Sequence, residues 1–241
     1  MLKILSIGNS FSQDAQRYLH QIAKHDNFEL YCENLYIGGC SLQTHCENIK
    51  GDLANYELEI NGKSTGRLVS IKQALLEREW DFITLQQVST SSGHFETYLP
   101  YADELSEYVK KHCRTAKLLV HQTWAYEEGS ELLTDLAGYE TSHEMLKAIT
   151  EAYSKFYKRI NASGLIPSGQ AMMRAIDLGL KKAHRDTFHA SFGAGRYLLG
   201  LTWYKYLSGK DITNNTFDAF DEPVLEAERK IVIEAVNAVI V

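Results

Sequence analysis

Two short motifs at opposite ends of the chain contain the residue types that together activate a serine. Gly8-Asn9-Ser10 directly follows an apolar segment, and Asp186-Thr187-Phe188-His189 directly precedes a helical pattern. A serine hydroxyl is a poor nucleophile at neutral pH, so it needs an imidazole to take its proton and a carboxylate to orient that imidazole. The sequence therefore offers Ser10 as a nucleophile, His189 as a base and Asp186 as the acid that orients the base.

Each motif also has an ordinary structural explanation. Ser10 or Ser12 could simply cap the helix that follows the first strand, which is the commoner outcome for an isolated Gly-Asn-Ser. Asp186 could bond to local backbone in a surface turn. The two motifs occur in one chain, together with polar residues at the ends of other strands, and this combination favours the catalytic interpretation.

The elements that would position these residues alternate along the chain. The predicted strands are 2–8, 29–37, 81–86, 117–123 and 165–168. The predicted helices are 13–25, 71–79, 100–112, 142–160, 169–181, 191–207 and 223–239. Strands that alternate with helices pair in parallel through right-handed crossovers. The pattern predicts an α/β fold, namely a three-layer α/β/α sandwich with a five-stranded parallel sheet of flavodoxin-like topology.

One interruption of this alternation indicates a hairpin. Asn61-Gly62 separates two strand-like segments and is a strong hairpin turn signal. We interpret 56–69 as an insertion beside the loop after the second strand. The 241 residues are otherwise expected to form a single domain, 1–241, because α/β folds of this size commonly stay undivided.

Composition excludes several classes of partner. The formal charge is −6 and the basic residues are scattered among acids, so neither nucleic acid nor an anionic membrane surface is expected to bind. No apolar run approaches the length of a membrane span. The four cysteines lack C-x-x-C spacing and are interpreted as ordinary thiols, although the sequence is also compatible with one disulfide. The histidines and cysteines form no coherent ligand set, so no metal and no cofactor are expected.

The first residues of the chain have the pattern of a buried strand rather than of a signal peptide. This predicts a cytoplasmic protein, or a secreted or periplasmic one if a leader has been removed. The oligomeric state stays open.

Residues just after the predicted strands are the ones to inspect, because ligands of parallel sheets bind outside the carboxyl ends of the strands. Gly39 follows the second strand and would let the backbone approach a substrate and present its N–H. Gln86 or Gln87, at the end of the third strand, could present a side-chain amide to an oxyanion. Taken singly, a Gly-Gly pair is more often a turn, and a polar pair is more often solvated.

Aromatic residues follow the fourth strand. Trp124 and Tyr126 would lie at the same sheet edge as Ser10, where aromatic faces could support a sugar ring. Ordinary loop packing is the commoner use of such residues.

The order of these motifs resembles that of the SGNH hydrolases, also called GDSL-like lipases and esterases. The resemblance extends from about residue 4 to about residue 209 and includes the strand layout. It implies that Ser10 is the nucleophile, His189 the general base and Asp186 the orienting acid. It also implies an oxyanion hole made of the Ser10 and Gly39 N–H groups and a side-chain amide.

The chain departs from the family pattern at two places. The usual Gly-Asp-Ser is Gly-Asn-Ser here, and the usual Gly-x-Asn-Asp block is replaced by Leu85-Gln86-Gln87-Val88-Ser89. A glutamine at this place resembles the carbohydrate acetylesterase and sialate O-acetylesterase relatives. The resemblance therefore assigns the amide donor to Gln86, with Gln87 as a substitute that could also bind substrate.

These observations lead to one leading hypothesis and two alternatives. The first is a serine esterase that deacylates a small-molecule or carbohydrate ester, such as an O-acetylated sugar, through an acyl-enzyme intermediate. The second is a flavodoxin-like protein that binds a phosphate at the start of the first helix. The third is a relative that binds glycans without cleaving them.

Overall fold

The computed structural model describes residues 1–240. The strands are β1 (Leu2–Gly8), β2 (Leu30–Tyr36), β3 (Tyr56–Ile60), β4 (Lys63–Val69), β5 (Phe82–Leu85), β6 (Lys117–His121) and β7 (Gly164–Ile166). The helices are α1 (Ser10–Gln16), α2 (Leu19–His25), α3 (Leu42–Gly51), α4 (Ile71–Glu77), α5 (Tyr101–His112), α6 (Ser142–Arg159), α7 (Ser168–Asp177), α8 (Ala194–Ser208) and α9 (Glu226–Val239). Helices cover both sides of the sheet, so the α/β prediction is confirmed at that level.

The sheet is larger than predicted, because residues 1–240 form seven strands in the order β4-β3-β2-β1-β5-β6-β7. The run β2-β1-β5-β6-β7 is parallel and has the flavodoxin-like order. The hairpin adds two antiparallel strands at the β2 edge. The prediction of a five-stranded, wholly parallel sheet is therefore wrong.

The hairpin joins the sheet because its turn is bonded to β2. The backbone N–H of Asn61 donates to the Cys32 carbonyl at 2.8 Å, and the Cys32 N–H donates to Asn61 Oδ1 at 3.0 Å. Pairing with β3 satisfies backbone groups that an edge strand would leave unpaired. The segment 56–69 thus extends the sheet instead of standing beside a loop.

The predicted helix 13–25 is two helices, α1 and α2, which are separated at Arg17 and Tyr18. The hairpin turn packs on this break. Gly62 has a φ of +76°, and a Cβ there would lie 2.3 Å from the Arg17 carbonyl oxygen. Only glycine fits such an approach, so the break and the hairpin turn depend on each other.

Helix α3 was not predicted. Its sequence is largely polar, and its start is marked by Ser41, whose hydroxyl accepts a hydrogen bond from the Thr44 N–H at 3.1 Å. The other predicted helices have observed counterparts whose ends differ by up to a few residues.

Helix α8 lies at the centre of one helical layer. Its first eleven residues are all buried, and α1, α2, α7 and α9 pack around it. A helix with largely apolar side chains on all sides, as α8 has in this stretch apart from the charged Arg196, requires such enclosure. The loop that carries the Asp186 and His189 motif leads into α8 and so ends on a rigid element.

Two further findings concern the chain as a whole. Among the helices of residues 1–240, none is long and apolar enough to cross a membrane. All four cysteines are buried free thiols.

Candidate active site

Ser10 is the first residue of α1, directly after the carboxyl end of β1. The N-cap is Asn9, whose Oδ1 accepts the Phe11 N–H at 3.0 Å. Ser12 completes a capping box, since its Oγ accepts the Asn9 N–H at 3.1 Å. Capping of α1 is therefore carried out by Asn9 and Ser12, and the Ser10 hydroxyl is left for another partner.

That partner is His189. Its Nε2 lies 2.8 Å from Ser10 Oγ, and its Nδ1 lies 2.7 Å from Asp186 Oδ2. The second carboxylate oxygen of Asp186 accepts the His189 backbone N–H at 2.8 Å. The structure thus brings together the three residues that the two sequence motifs contain, in the order that activates a serine hydroxyl.

The Asp186 carboxylate is suited to orienting the imidazole. Burial raises its pKa, but hydrogen bonds from the His189 ring and backbone N–H lower it by more, so the pKa lies below its ordinary value. The group is therefore ionised at neutral pH. An ionised carboxylate holds the imidazole with its proton on Nδ1, which leaves Nε2 free to accept the Ser10 proton.

The loop after β6 holds the motif loop in place. Trp124 Nε1 donates to the Phe188 carbonyl at 2.7 Å, and the Glu127 N–H donates to the Thr187 carbonyl at 2.7 Å. Thr187 has a φ of +70°, which is rare for a β-branched residue and marks a conformation imposed by its surroundings.

Buried charges anchor the same loop from the other side. Asp14 is fully buried and accepts hydrogen bonds from Arg185 Nη1 at 2.9 Å and Arg196 Nε at 2.8 Å. Arg185 immediately precedes Asp186 and also bonds to the Ala190 carbonyl. The residues on both sides of the motif are therefore held by one charged cluster, which limits the freedom of His189.

A cavity of about 290 Å³ opens beside Ser10 and His189. It is lined by Asn9, Ser10, Phe11, Tyr36, Gly38, Gly39, Val88, Ser89, Thr90, Tyr126, Leu132, Leu136, Phe188 and His189. Its volume lies at the lower end of the range for ligand pockets. The serine hydroxyl is therefore accessible to a small substrate.

Gly39 is exposed at this cavity with a φ of +63°, so the turn it forms favours glycine. Ser10 lies in the first turn of α1, where backbone N–H groups have no acceptor within the helix. Both residues line the cavity, and each could donate a backbone N–H to an anionic oxygen there.

Gln86 is not among the residues that line the cavity, so the structure does not support the prediction that it donates to an oxyanion. Its Nε2 donates to Asn9 Oδ1 at 2.8 Å, and its Oε1 accepts from His121 Nδ1 at 2.8 Å. Burial lowers the pKa of His121 to about 3, so this imidazole is neutral and its second nitrogen lies 3.1 Å from Ser168 Oγ. The Gln86 side chain therefore holds Asn9 in place by a hydrogen bond.

Gln87 does not line the cavity either, so the predictions that it binds substrate or substitutes for Gln86 gain no support from the structure. Its Oε1 accepts the backbone N–H groups of Leu42 and Val88, each at 3.0 Å. Its Nε2 donates to the Thr97 carbonyl at 3.1 Å. Gln87 therefore joins the segment between β5 and α5 to the start of α3.

The two aromatic residues that were predicted to contact a substrate differ in whether they line the cavity. Trp124 is fully buried and stacks on Phe11 with ring centroids 4.0 Å apart, so it cannot contact a substrate. Tyr126 does line the cavity, and its hydroxyl lies 2.9 Å from Ser89 Oγ. Packing explains Trp124, and only Tyr126 stays available as a substrate contact.

The structure adds cavity residues that the sequence did not indicate. Leu132 and Leu136 come from a single π-helical turn, Leu132–Leu136, between β6 and α6. Such a short apolar segment gives no periodic signal. Tyr36 could have been noted, because it is the last residue of β2 and precedes Gly38 and Gly39.

No group of three or more metal-binding side chains is assembled anywhere in residues 1–240.

Residues 3–235 match a family that is described as a domain of unknown function, DUF4886. The chain belongs to the DUF4886 family. A DUF4886 family protein from Bacteroides uniformis ATCC 8492 is 31% identical, with a TM-score of 0.90 over 99% of this chain and 94% of that one. None of the curated proteins matches the sequence.

More distant solved structures share the fold of this DUF4886 chain. A proposed SGNH hydrolase from Slackia heliotrinireducens has a TM-score of 0.62 at 22% identity, over 86% of this chain and 99% of that one. Axe2, an acetylxylan esterase from Geobacillus stearothermophilus, has a TM-score of 0.53 at 13% identity, over 86% of this chain and 94% of that one. The predicted resemblance to SGNH hydrolases is confirmed at the level of the fold.

Proposed function

We propose that this protein is a serine esterase that hydrolyses a carboxylic ester through an acyl-enzyme intermediate. The observation that carries the proposal is the continuous chain from Ser10 Oγ to His189 Nε2, at 2.8 Å, and from His189 Nδ1 to Asp186, at 2.7 Å. The likeness in fold to an acetylxylan esterase supports the same class of reaction.

In the first half of the reaction, Ser10 Oγ attacks the ester carbonyl carbon while its proton passes to His189 Nε2. The carbonyl oxygen becomes an oxyanion, which the backbone N–H groups of Ser10 and Gly39 stabilise. When the tetrahedral intermediate collapses, the bond to the alcohol oxygen breaks and His189 returns the proton to that oxygen. An acyl-Ser10 ester and a free alcohol result.

The second half repeats these steps with water. His189 takes a proton from the water as its oxygen attacks the acyl carbon, and then gives the proton to Ser10 Oγ as the acid leaves. Asp186 stays ionised throughout and stabilises the imidazolium that forms twice per turnover. No cofactor is needed for this sequence.

Gln86 acts as a positioning residue in the proposed reaction. Its amide holds the Oδ1 of Asn9, while Asn9 Nδ2 donates to the Cys40 carbonyl at 3.0 Å. Asn9 thereby joins the loop that carries Ser10 to the loop that carries Gly39. The two backbone donors are held relative to each other by this contact.

The alternative of phosphate binding is disfavoured by the lining of the cavity. Among the described residues that line it, none is a lysine or an arginine, and the Asp186 carboxylate lies directly behind His189. A phosphate would therefore meet no lysine or arginine side chain in the cavity. Of the two aromatic contacts predicted for an O-acetylated carbohydrate, only Tyr126 lines the cavity, and glycan binding without cleavage would leave the triad without a role.

The proposal is tested by hydrolysis of p-nitrophenyl acetate. We expect the purified protein to release p-nitrophenol with a kcat/KM well above the rate in buffer, because the activated ester requires only the triad and the oxyanion donors. Thermal shift with flavin mononucleotide and with acetylated xylo-oligosaccharides is measured in parallel. Turnover without a nucleotide shift supports the esterase, whereas no turnover together with a nucleotide or glycan shift contradicts it.

A further inference from the structure

The cavity beside Ser10 has an apolar wall on one side. The wall is formed by five largely apolar side chains, which are those of Val88, Tyr126, Leu132, Leu136 and Phe188. They follow β5 and β6 or belong to the His189 loop. A wall of this composition favours an apolar group over a hydroxylated one, because contact with a sugar hydroxyl would leave it without a hydrogen-bond partner.

The direction of this wall relative to the triad identifies which part of an ester would meet it. Gly39 follows β2, on one side of β1, so the oxyanion points toward the β2 side. The alcohol oxygen must face His189, which returns its proton. The acyl chain takes the remaining direction, toward the loops of β5 and β6, where Val88 and the π-helical turn lie.

The π-helical turn leaves one of its leucines, Leu136, exposed to solvent. Leu136 is 58% exposed, although its neighbour Leu133 in the same turn is fully buried and anchors it. The backbone of the turn is closed by a hydrogen bond from the Ala137 N–H to the Leu132 carbonyl at 3.0 Å. A fixed turn that holds a large apolar side chain in solvent beside a cavity is suited to covering an apolar ligand.

We propose that the turn Leu132–Leu136 is the acyl-binding wall and selects apolar acyl chains longer than acetyl. The inference rests on the proposed esterase function and names its substrate class. Each methylene that leaves water for this wall should favour the longer ester about fourfold. A hexanoyl ester should therefore be hydrolysed with a kcat/KM at least about tenfold above that of the acetyl ester, even with incomplete burial.

The test compares p-nitrophenyl hexanoate with p-nitrophenyl acetate in the wild type, in Leu136→Asp and in Leu136→Met. Aspartate should lower the hexanoate-to-acetate ratio about tenfold because it places a charge against the chain. Methionine, which is apolar and of similar size, should keep the ratio within about threefold. Leu76→Asp is the matched control, since Leu76 is 60% exposed on α4 and does not line the cavity; it should change neither rate.

Each outcome separates this inference from the proposed function. A wild type that hydrolyses acetate faster than hexanoate, or a Leu136→Asp variant whose ratio is unchanged, overturns the acyl wall while leaving the esterase intact. The rates for hexyl acetate and ethyl acetate show the effect of chain length in the alcohol. If kcat/KM rises with the length of the alcohol and not with that of the acyl chain, the wall contacts the leaving group, and the proposed acyl wall is overturned. A wild type that hydrolyses none of these esters overturns both.

Discussion

Replacing Ser10 with alanine is expected to lower kcat/KM for p-nitrophenyl acetate by about 10³-fold or more. The alanine removes the hydroxyl oxygen that lies 2.8 Å from His189 Nε2, so no acyl-enzyme can form at this position. Any residual activity of the variant would come from water that His189 activates and from the backbone N–H groups that stabilise the oxyanion. The measurement is the steady-state rate of p-nitrophenol release.

The fold should survive this substitution. Asn9 and Ser12 cap α1, and the Ser10 side chain takes no part in the capping box. The melting temperature of Ser10→Ala should stay within about 2 °C of the wild type, because a partly exposed hydroxyl contributes little to stability. If the folded variant keeps more than about a tenth of the wild-type activity, Ser10 is not the nucleophile.

The second large effect is expected for Asp186→Asn, with kcat/KM reduced by about 10²- to 10⁴-fold. Asp186 accepts both the His189 backbone N–H, at 2.8 Å, and the ring Nδ1–H, at 2.7 Å. In the variant, the amide oxygen can still accept the backbone N–H, which turns the amide NH₂ toward Nδ1. The imidazole must then place its proton on Nε2, where it can no longer accept the Ser10 proton.

The control for Asp186→Asn is Asp177→Asn. Asp177 has a side-chain exposure of 42%, close to the 44% of Asp186, but pairs with His143 on the surface. Its replacement should leave kcat/KM within about twofold, because exposed ion pairs contribute little. A loss smaller than about tenfold in Asp186→Asn would mean that the carboxylate does not set the imidazole tautomer.

The parallel part of the sheet could be predicted because most of its strands are short segments rich in apolar residues, and helical patterns alternate with them along the chain. The hairpin was recognised from Asn61-Gly62, yet its pairing with β2 was not. That pairing depends on the bonds between Asn61 and Cys32, which are distant in sequence. Local turn signals specify a hairpin, whereas the strand beside which it lies is decided by tertiary contacts.

The placement of Ser10, His189 and Asp186 could be predicted because each motif is local. Asp186 and His189 are three residues apart, and Ser10 follows the first strand. The side-chain amide could not be assigned, because its availability depends on a partner. Gln86 is engaged by His121, and nothing in the sequence indicates that this histidine lies beside it.

The walls of the cavity were the least predictable part of the site. Trp124 looks like a platform in sequence, but it packs on Phe11 and bonds to the Phe188 carbonyl. Leu136 looks like an unremarkable loop residue, but it lies at the cavity. Whether a loop side chain faces the core or the substrate is set by the conformation of the whole loop, which has no periodic signal.

The most direct test of the central claim is reaction of the wild type with an alkyl fluorophosphonate, followed by peptide mass mapping. Such reagents form a covalent adduct with a serine oxygen that a neighbouring base activates. We predict one adduct, located on Ser10, and its loss in His189→Ala. An unmodified Ser10, or an adduct on another serine that persists without His189, would contradict the account.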